Sequence, residues 1–250
     1  MVKMMLEAKI EKKILKEAIE TIVPVTDEAC LQITNEGLNL KAVDPASVAF
    51  CDFSLQKNAF EQYTIDEPKT VGMNFAKLLD MISVGGKEEV ELKMDGMDKL
   101  KIKNGSLSYA LSLPDADTLR KEPNIPELEF PASVEIGTDD LKRAIRAAKE
   151  LGDAIVFGVE QDNFYIEAEN EMDKVRMQLS KEQLVSLTAG EQPVVSQFST
   201  DYLSDISKGF GSVESVKIGL GKDHPLKIGF EIAEGLGKVS YLVAPRIDSE

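Results

Sequence analysis

Basic residues gather on stretches of helical pattern. Lys9, Lys12, Lys13 and Lys16 belong to a first helix, Lys142, Arg143, Arg146 and Lys149 to another, and Lys77 and Lys208 to two shorter ones. Flexible cations on a helix face can attract a polyanion by charge alone, without reading its sequence. The same residues also fit a plain solvated face, because Glu11, Glu17, Glu20 and Glu150 are interspersed among them. Catalytic chemistry finds few candidates. The single histidine, His224, precedes Pro225 in a turn pattern and reads as a surface residue. Cys30 and Cys51 lack metal-ligand spacing and read as reduced, structural thiols. There is no Gly-x-Ser-x-Gly motif, phosphate-cradling glycine loop or His/Cys/Asp constellation. Asp139 and Asp140 open a helix, where N-terminal capping and the helix dipole account for them. No catalytic residue, metal or cofactor is expected.

The elements that carry these residues come in two copies. "ILKEAIETIVPVTDEACLQITNEGLNLKAVD" from Ile14 aligns without a gap on "DLKRAIRAAKELGDAIVFGVEQDNFYIEAEN" from Asp140, an offset of 126 residues. Leu15 falls on Leu141, Ala18 on Ala144, Ile19 on Ile145 and Asp27 on Asp153. Further on, "KLLDMI" (77–82) resembles "DYLSDI" (201–206), and "SYAL" (108–111) resembles "SYLV" (240–243). In each copy a short strand leads into an amphipathic helix, alternating strands follow, then a second helix and more strands. Asn35-Glu36-Gly37 reads as a hairpin turn. The reading is an α+β protein of two repeated domains, each with two helices packed on antiparallel sheets. The expected domains are 1–112 and 133–250, joined by a connector at 113–132 that holds four prolines and is therefore extended and semi-rigid.

Composition narrows the partners. The 250 residues carry a net charge of −15, which disfavours polyanions unless the cations are segregated on one face. No apolar run is long enough for a membrane span and no secretory leader is evident, so an intracellular protein is expected. One stretch is unusual for an acidic chain. In "LKAVDPASVAF" (40–50), Asp44-Pro45 marks a turn, yet Val43, Val48 and Phe50 crowd around it. Apolar groups at a surface turn call for something to cover them.

Four segments in this order, "GLNLKAVDPASVAF" (37–50), "LGDAIVF" (151–157), "DHPLKIGFEI" (223–232) and "SYLVAPRIDSE" (240–250), resemble the proliferating cell nuclear antigen family of DNA sliding clamps, in its archaeal type. The resemblance covers essentially the whole chain. It implies the DNA clamp fold: a homotrimeric ring with helices lining a hole through which duplex DNA passes, sequence-independently. Such a ring is a DNA polymerase processivity factor with no enzymatic activity. Lys12, Lys13, Lys16, Lys77, Lys142, Arg143, Arg146, Lys149 and Lys208 are then the DNA-facing set. Glu20, Asp80, Glu150 and Asp201 depart from the family's inner surface and predict a weaker, more salt-sensitive grip. A pocket of Val43, Ser47, Val48, Phe50, Ile125, Pro126, Pro225, Leu242, Ala244, Pro245 and Ile247 would receive a short peptide motif. Its implied bearers are DNA polymerase, the clamp loader, flap endonuclease and DNA ligase, in DNA replication and repair. Ser47 stands where many relatives carry histidine, and Leu242 where some carry tyrosine. Subunits would join by edge-strand addition, Leu107, Tyr109 and Leu111 on one side and Lys174, Val175 and Met177 on the other. The implied location is cytoplasmic in an archaeon and nuclear in a eukaryote. A heteromeric clamp subunit or damage-signalling scaffold is the competing reading.

Overall fold

The helix period read from the sequence is realised four times. The computed structural model describes residues 5–84, 86, 88–125, 128–190 and 192–247. The first half runs β1 (Leu6–Glu11), α1 (Lys12–Ile22), β2 (Glu28–Thr34), β3 (Gly37–Val43), β4 (Ala49–Gln56), β5 (Gln62–Ile65), β6 (Lys69–Asn74), α2 (Phe75–Val84), β7 (Glu89–Met94), β8 (Lys99–Asn104) and β9 (Leu107–Ser112). The second half repeats that order: β10 (Ala132–Gly137), α3 (Thr138–Lys149), β11 (Ala154–Glu160), β12 (Asn163–Glu169), β13 (Lys174–Ser180), β14 (Ser186–Thr188), β15 (Val194–Ser199), α4 (Thr200–Lys208), β16 (Ser215–Leu220), β17 (Leu226–Ile232) and β18 (Gly237–Val243).

The chain divides into two units. One holds the residues up to Asn124 with Glu231–Val239, the other Ile125–Phe230 with the residues from Ser240 onward. Strands of the first half are ordered β5-β1-β7-β8-β9 and β6-β2-β3-β4. Those of the second half are ordered β14-β10-β16-β17-β18 and β15-β11-β12-β13, the same sequence of counterparts. The duplication is therefore one of topology as well as of residues. Ladder pairs such as β1 with β7 and β10 with β16 are antiparallel throughout their registers.

Each pair of helices packs together, α1 beside α2 and α3 beside α4. α1 buries Leu15, Ala18, Ile19 and Ile22, and α3 buries Leu141, Ala144, Ile145 and Ala148, the aligned positions. That i, i+3, i+4, i+7 stripe faces the core and leaves the cations outside. Each large aliphatic side chain so buried stabilises the fold by about 1.5–3 kcal/mol. Pro24 stops α1, since its ring cannot continue the helical ladder. Between β2 and β3 the loop is Asn35-Glu36, with Thr34 opposite Gly37. Gly37 has φ +135° and a Cβ there would lie 2.1 Å from the Leu55 carbonyl oxygen, so no other residue fits.

Two expectations need correction. Lys9 stands on β1 rather than on the first helix, with its ammonium 2.6 Å from Glu89 and 3.2 Å from Glu61. Hydrogen bonds, to Glu89 foremost and to Glu61, raise its pKa. The strand runs through Glu11, because Leu6, Ala8 and Ile10 alternate into the core and override the basic helical pattern. Asp139 and Asp140 do not cap α3. Gly137 is the N-cap and the two aspartates lie in the first turn, where the helix dipole favours both and Asp140 also pairs with Arg143 at 2.7 Å.

Candidate functional site

The nine cations of the helices differ in what already holds them. Lys12 donates to the Ser83 carbonyl at 3.3 Å, and Lys142 to the Gly211 carbonyl at 3.0 Å. Lys16 sits 3.5 Å from Glu20, Arg143 2.7 Å from Asp140 and Lys208 2.6 Å from Asp205. Lys149 lies 3.6 Å from Asp201 and donates to Ser204 Oγ at 3.3 Å. Lys13, Lys77 and Arg146 are exposed and, among the described residues, form no ion pair. They are the cations most available to an outside phosphate. Two of the acids singled out from sequence, Glu20 and Asp201, thus neutralise cations of this set. Asp80 and Glu150 are exposed.

The apolar turn is built around one carboxylate. Asp44, 5% exposed, accepts from Ala46 N at 2.9 Å and from Val48 N and Ala49 N at 2.7 Å each. Ser47 takes φ +61°, a left-handed conformation, and its amide donates to the Asp44 carbonyl at 3.0 Å. Phe50 points into the core at 7% exposure, while Val43 and Val48 are half-buried and Ser47 is exposed. The connector is fastened here. Arg120 donates to the Asp44 carbonyl at 2.7 Å and to Ser47 Oγ at 2.8 Å. Glu122 accepts from Gln32 at 2.7 Å and stands 3.6 Å from Lys41. Val43, Pro45, Asp27, Leu119 and Lys121 are among the residues that line a cavity of about 630 Å³ in this unit.

In the second unit the remaining candidates of the peptide set fall on different elements. Ile125 is 39% and Ile247 76% exposed, whereas Pro225, Leu242, Ala244 and Pro245 are half-buried. Pro126 lies outside the described residues. The C-terminal segment is anchored by Arg246. Its amide donates to the Gln197 carbonyl at 2.7 Å, and its guanidinium reaches Asp153, at 2.8 Å from the carboxylate and 2.9 Å from the carbonyl. The hydrogen bond from Arg246 holds the Asp153 carboxyl below its usual pKa.

The predicted subunit contacts lie on two strands that end their sheets, β9 and β13. Leu107 is 37% exposed, Tyr109 half-buried and Leu111 buried. Val175 and Met177 are half-buried on one face of β13. On the other, Lys174 lies 3.3 Å from Glu167 and 3.0 Å from Glu169, and Arg176 stacks 3.8 Å above the Tyr165 ring.

Sequence reasoning missed Arg120, Glu122, Asp153 and Arg246. The only local signal for Arg120 was a lone arginine inside a proline-rich connector. For Asp153 it was its alignment with Asp27. Among the described residues, no group of His, Cys, Asp and Glu side chains is placed to hold a metal ion, and no helix is long and apolar enough to cross a membrane. Burial pushes the Cys51 thiol well up, so it remains protonated, and raises Cys30 as well.

Comparison with known proteins matches both halves of the chain. Residues 5–104 match the family Proliferating cell nuclear antigen, N-terminal domain, and residues 124–246 its C-terminal domain. The DNA polymerase sliding clamp of Methanosarcina mazei is 44% identical over 248 residues, covering 98% of this chain and 100% of the relative. That of Archaeoglobus fulgidus is 38% identical over 239 residues, covering 95% and 97%. Among solved structures, the C-terminal region of FEN-1 bound to A. fulgidus PCNA superposes with a TM-score of 0.92 at 36% identity, over 98% of this chain and 100% of that one. PCNA from Thermococcus kodakaraensis gives a TM-score of 0.88 at 27% identity, over 96% and 100%. The repeated topology, the order of the quoted segments and these whole-length matches agree: the chain belongs to the proliferating cell nuclear antigen family, that of the DNA polymerase sliding clamps.

Proposed function

We propose that three copies of this chain close a ring around duplex DNA and tether replication and repair proteins to it. No catalytic step is involved. The observation that carries the reading is the set of cations on the solvent faces of the repeated helices of a clamp-family chain. Such side chains meet phosphates without reading base edges, so the attraction hardly changes along the duplex and permits sliding. Partial neutralisation by Glu20 and Asp201 supports a loose grip, with enclosure rather than affinity providing processivity.

Ring closure is assigned to β9 and β13 of neighbouring copies, since an unpaired strand edge offers backbone donors and acceptors to another chain. Client proteins are assigned to the turn at Val43, Ser47 and Val48, with Phe50 behind it, and to Ile125, Pro126, Pro225, Leu242, Ala244, Pro245 and Ile247. The FEN-1 segment bound to the A. fulgidus relative supports a peptide ligand. A peptide with a glutamine, an aliphatic residue and two aromatics is the expected occupant, at an affinity on the order of micromolar, because ordering a flexible segment offsets much of the apolar gain. Mass measurement in solution tests the assembly. Three times 27.5 kDa, about 82 kDa, is expected, and Val175→Asp should shift it to the single-chain mass. A wild-type monomer would sink the homomeric ring. A trimer that survives Val175→Asp together with Tyr109→Asp would refute the edge assignment.

A further inference from the structure

One pair of equivalent positions in the two repeats is filled differently. In the second unit the Asp153 carbonyl accepts from the Thr200 amide at the start of α4, at 3.0 Å, and its carboxylate holds the Arg246 guanidinium at 2.8 Å. The amide of Arg246 rests on the Gln197 carbonyl. In the first unit the counterparts are Asp27, Gly72 and Pro114. The Asp27 carbonyl accepts from the Phe75 amide at the start of α2, at 2.7 Å. Gly72 stands opposite Cys30 in its ladder, as Gln197 stands opposite Val156. Pro114 follows Leu111 at the same interval as Arg246 follows Val243, and it too runs over its strand. A Cβ on Gly72 would meet the Pro114 carbonyl oxygen at 2.2 Å.

Proline brings no guanidinium to Asp27. Asp27 is instead an exposed residue on the lining of the cavity of about 630 Å³. Its other charged groups are mostly engaged. Glu28 accepts from Asn74 at 2.7 Å, Lys41 is near Glu122 and Arg120 is bonded at the turn. Asp27 itself, among the described residues, has no ion pair.

We propose that the cavity beside Asp27 seats an arginine or lysine of a partner polypeptide, in the place that Arg246 fills in the second unit. A guanidinium on a carboxylate makes charge-assisted, directional bonds, and the cavity has room for a side chain and its flanking backbone. Val43 lines this cavity and belongs to the assigned peptide set, so the proposal rests on that reading and extends it to a flanking basic residue. Lys121, also on the lining, offsets part of the acidity, so the gain comes from direct contact rather than from long-range attraction.

Calorimetry on the whole protein tests it with a motif peptide bearing alanine flanks and a series carrying one arginine at each flank position in turn. At least one position should tighten binding by about fivefold or more. Asp27→Asn should remove that gain and leave the alanine-flanked peptide unchanged, and Asp27→Arg should transfer the gain to glutamate at the same position. If no position gains, or if the gain survives Asp27→Asn, the seat is refuted. If the alanine-flanked peptide does not bind at all, the peptide reading fails instead. An arginine peptide without the motif, compared on the wild-type protein and Asp27→Asn, then decides the seat by itself.

Discussion

Asp44 shows how one side chain can hold an unusual surface. Its buried carboxylate satisfies three backbone amides of the turn, and the turn in turn presents Val43 and Val48. Removing it takes away the partner of all three donors and leaves the buried Ala49 amide without one. Asp44→Ala should therefore cost about 2 kcal/mol or more, read as a lower urea midpoint at unchanged slope. The Asp-Pro turn was legible in sequence, because aspartate bonds locally to its own backbone. Arg120, which fastens the connector to that turn, was not, since its partner lies 76 residues away and no local spacing encodes it. Asp153 gives a second prediction. Arg246 depresses its pKa below the usual 3.8, so the contribution of the pair is present above that value and fades as pH falls through the depressed one. Carboxyl NMR should follow Asp153 titrating below an ordinary aspartate, and Arg246→Ala should return it to the usual range. An unchanged titration in that variant would contradict the anchor.

At the scale of elements, the apolar stripes of α1 and α3 were readable because a period of 3.6 residues admits few alternatives over eleven or twelve positions. The start of α1 was not, since the alternation of β1 wins over the helical spacing of Lys9 with the lysines that follow it. Nor did spacing reveal which cations were already occupied. That distinction makes a sharper prediction than the full set of nine. Changing Lys13, Lys77 and Arg146 together to glutamate should impair stimulated DNA synthesis more than changing Lys16, Arg143 and Lys208, which are paired within the chain. Each change replaces an attraction for phosphate by a repulsion, so the loss should be steeper at low salt, where screening is least. The assembly mass should stay the same. Equal losses from both triples would show that the intramolecular pairs do not withhold those cations from DNA.

For the whole molecule, the duplication was the most legible feature, because two copies of one pattern constrain each other. Leu15 with Leu141 and Ile19 with Ile145 set the alignment of the halves, and the matching strand orders agree with it. The differences between the copies were not legible, and Pro114 against Arg246 is where they matter most. Enclosure is what holds the protein to its track: it stays on DNA because it surrounds it. Loading it onto a nicked circular plasmid with a clamp loader, isolating the complex at high salt and then cutting the plasmid once tests that directly. The protein should co-elute with the circle, be lost from the linear product, and stay when both ends are blocked. Loss from the intact circle at high salt, or retention on an unblocked linear duplex, would mean that contact rather than topology holds it.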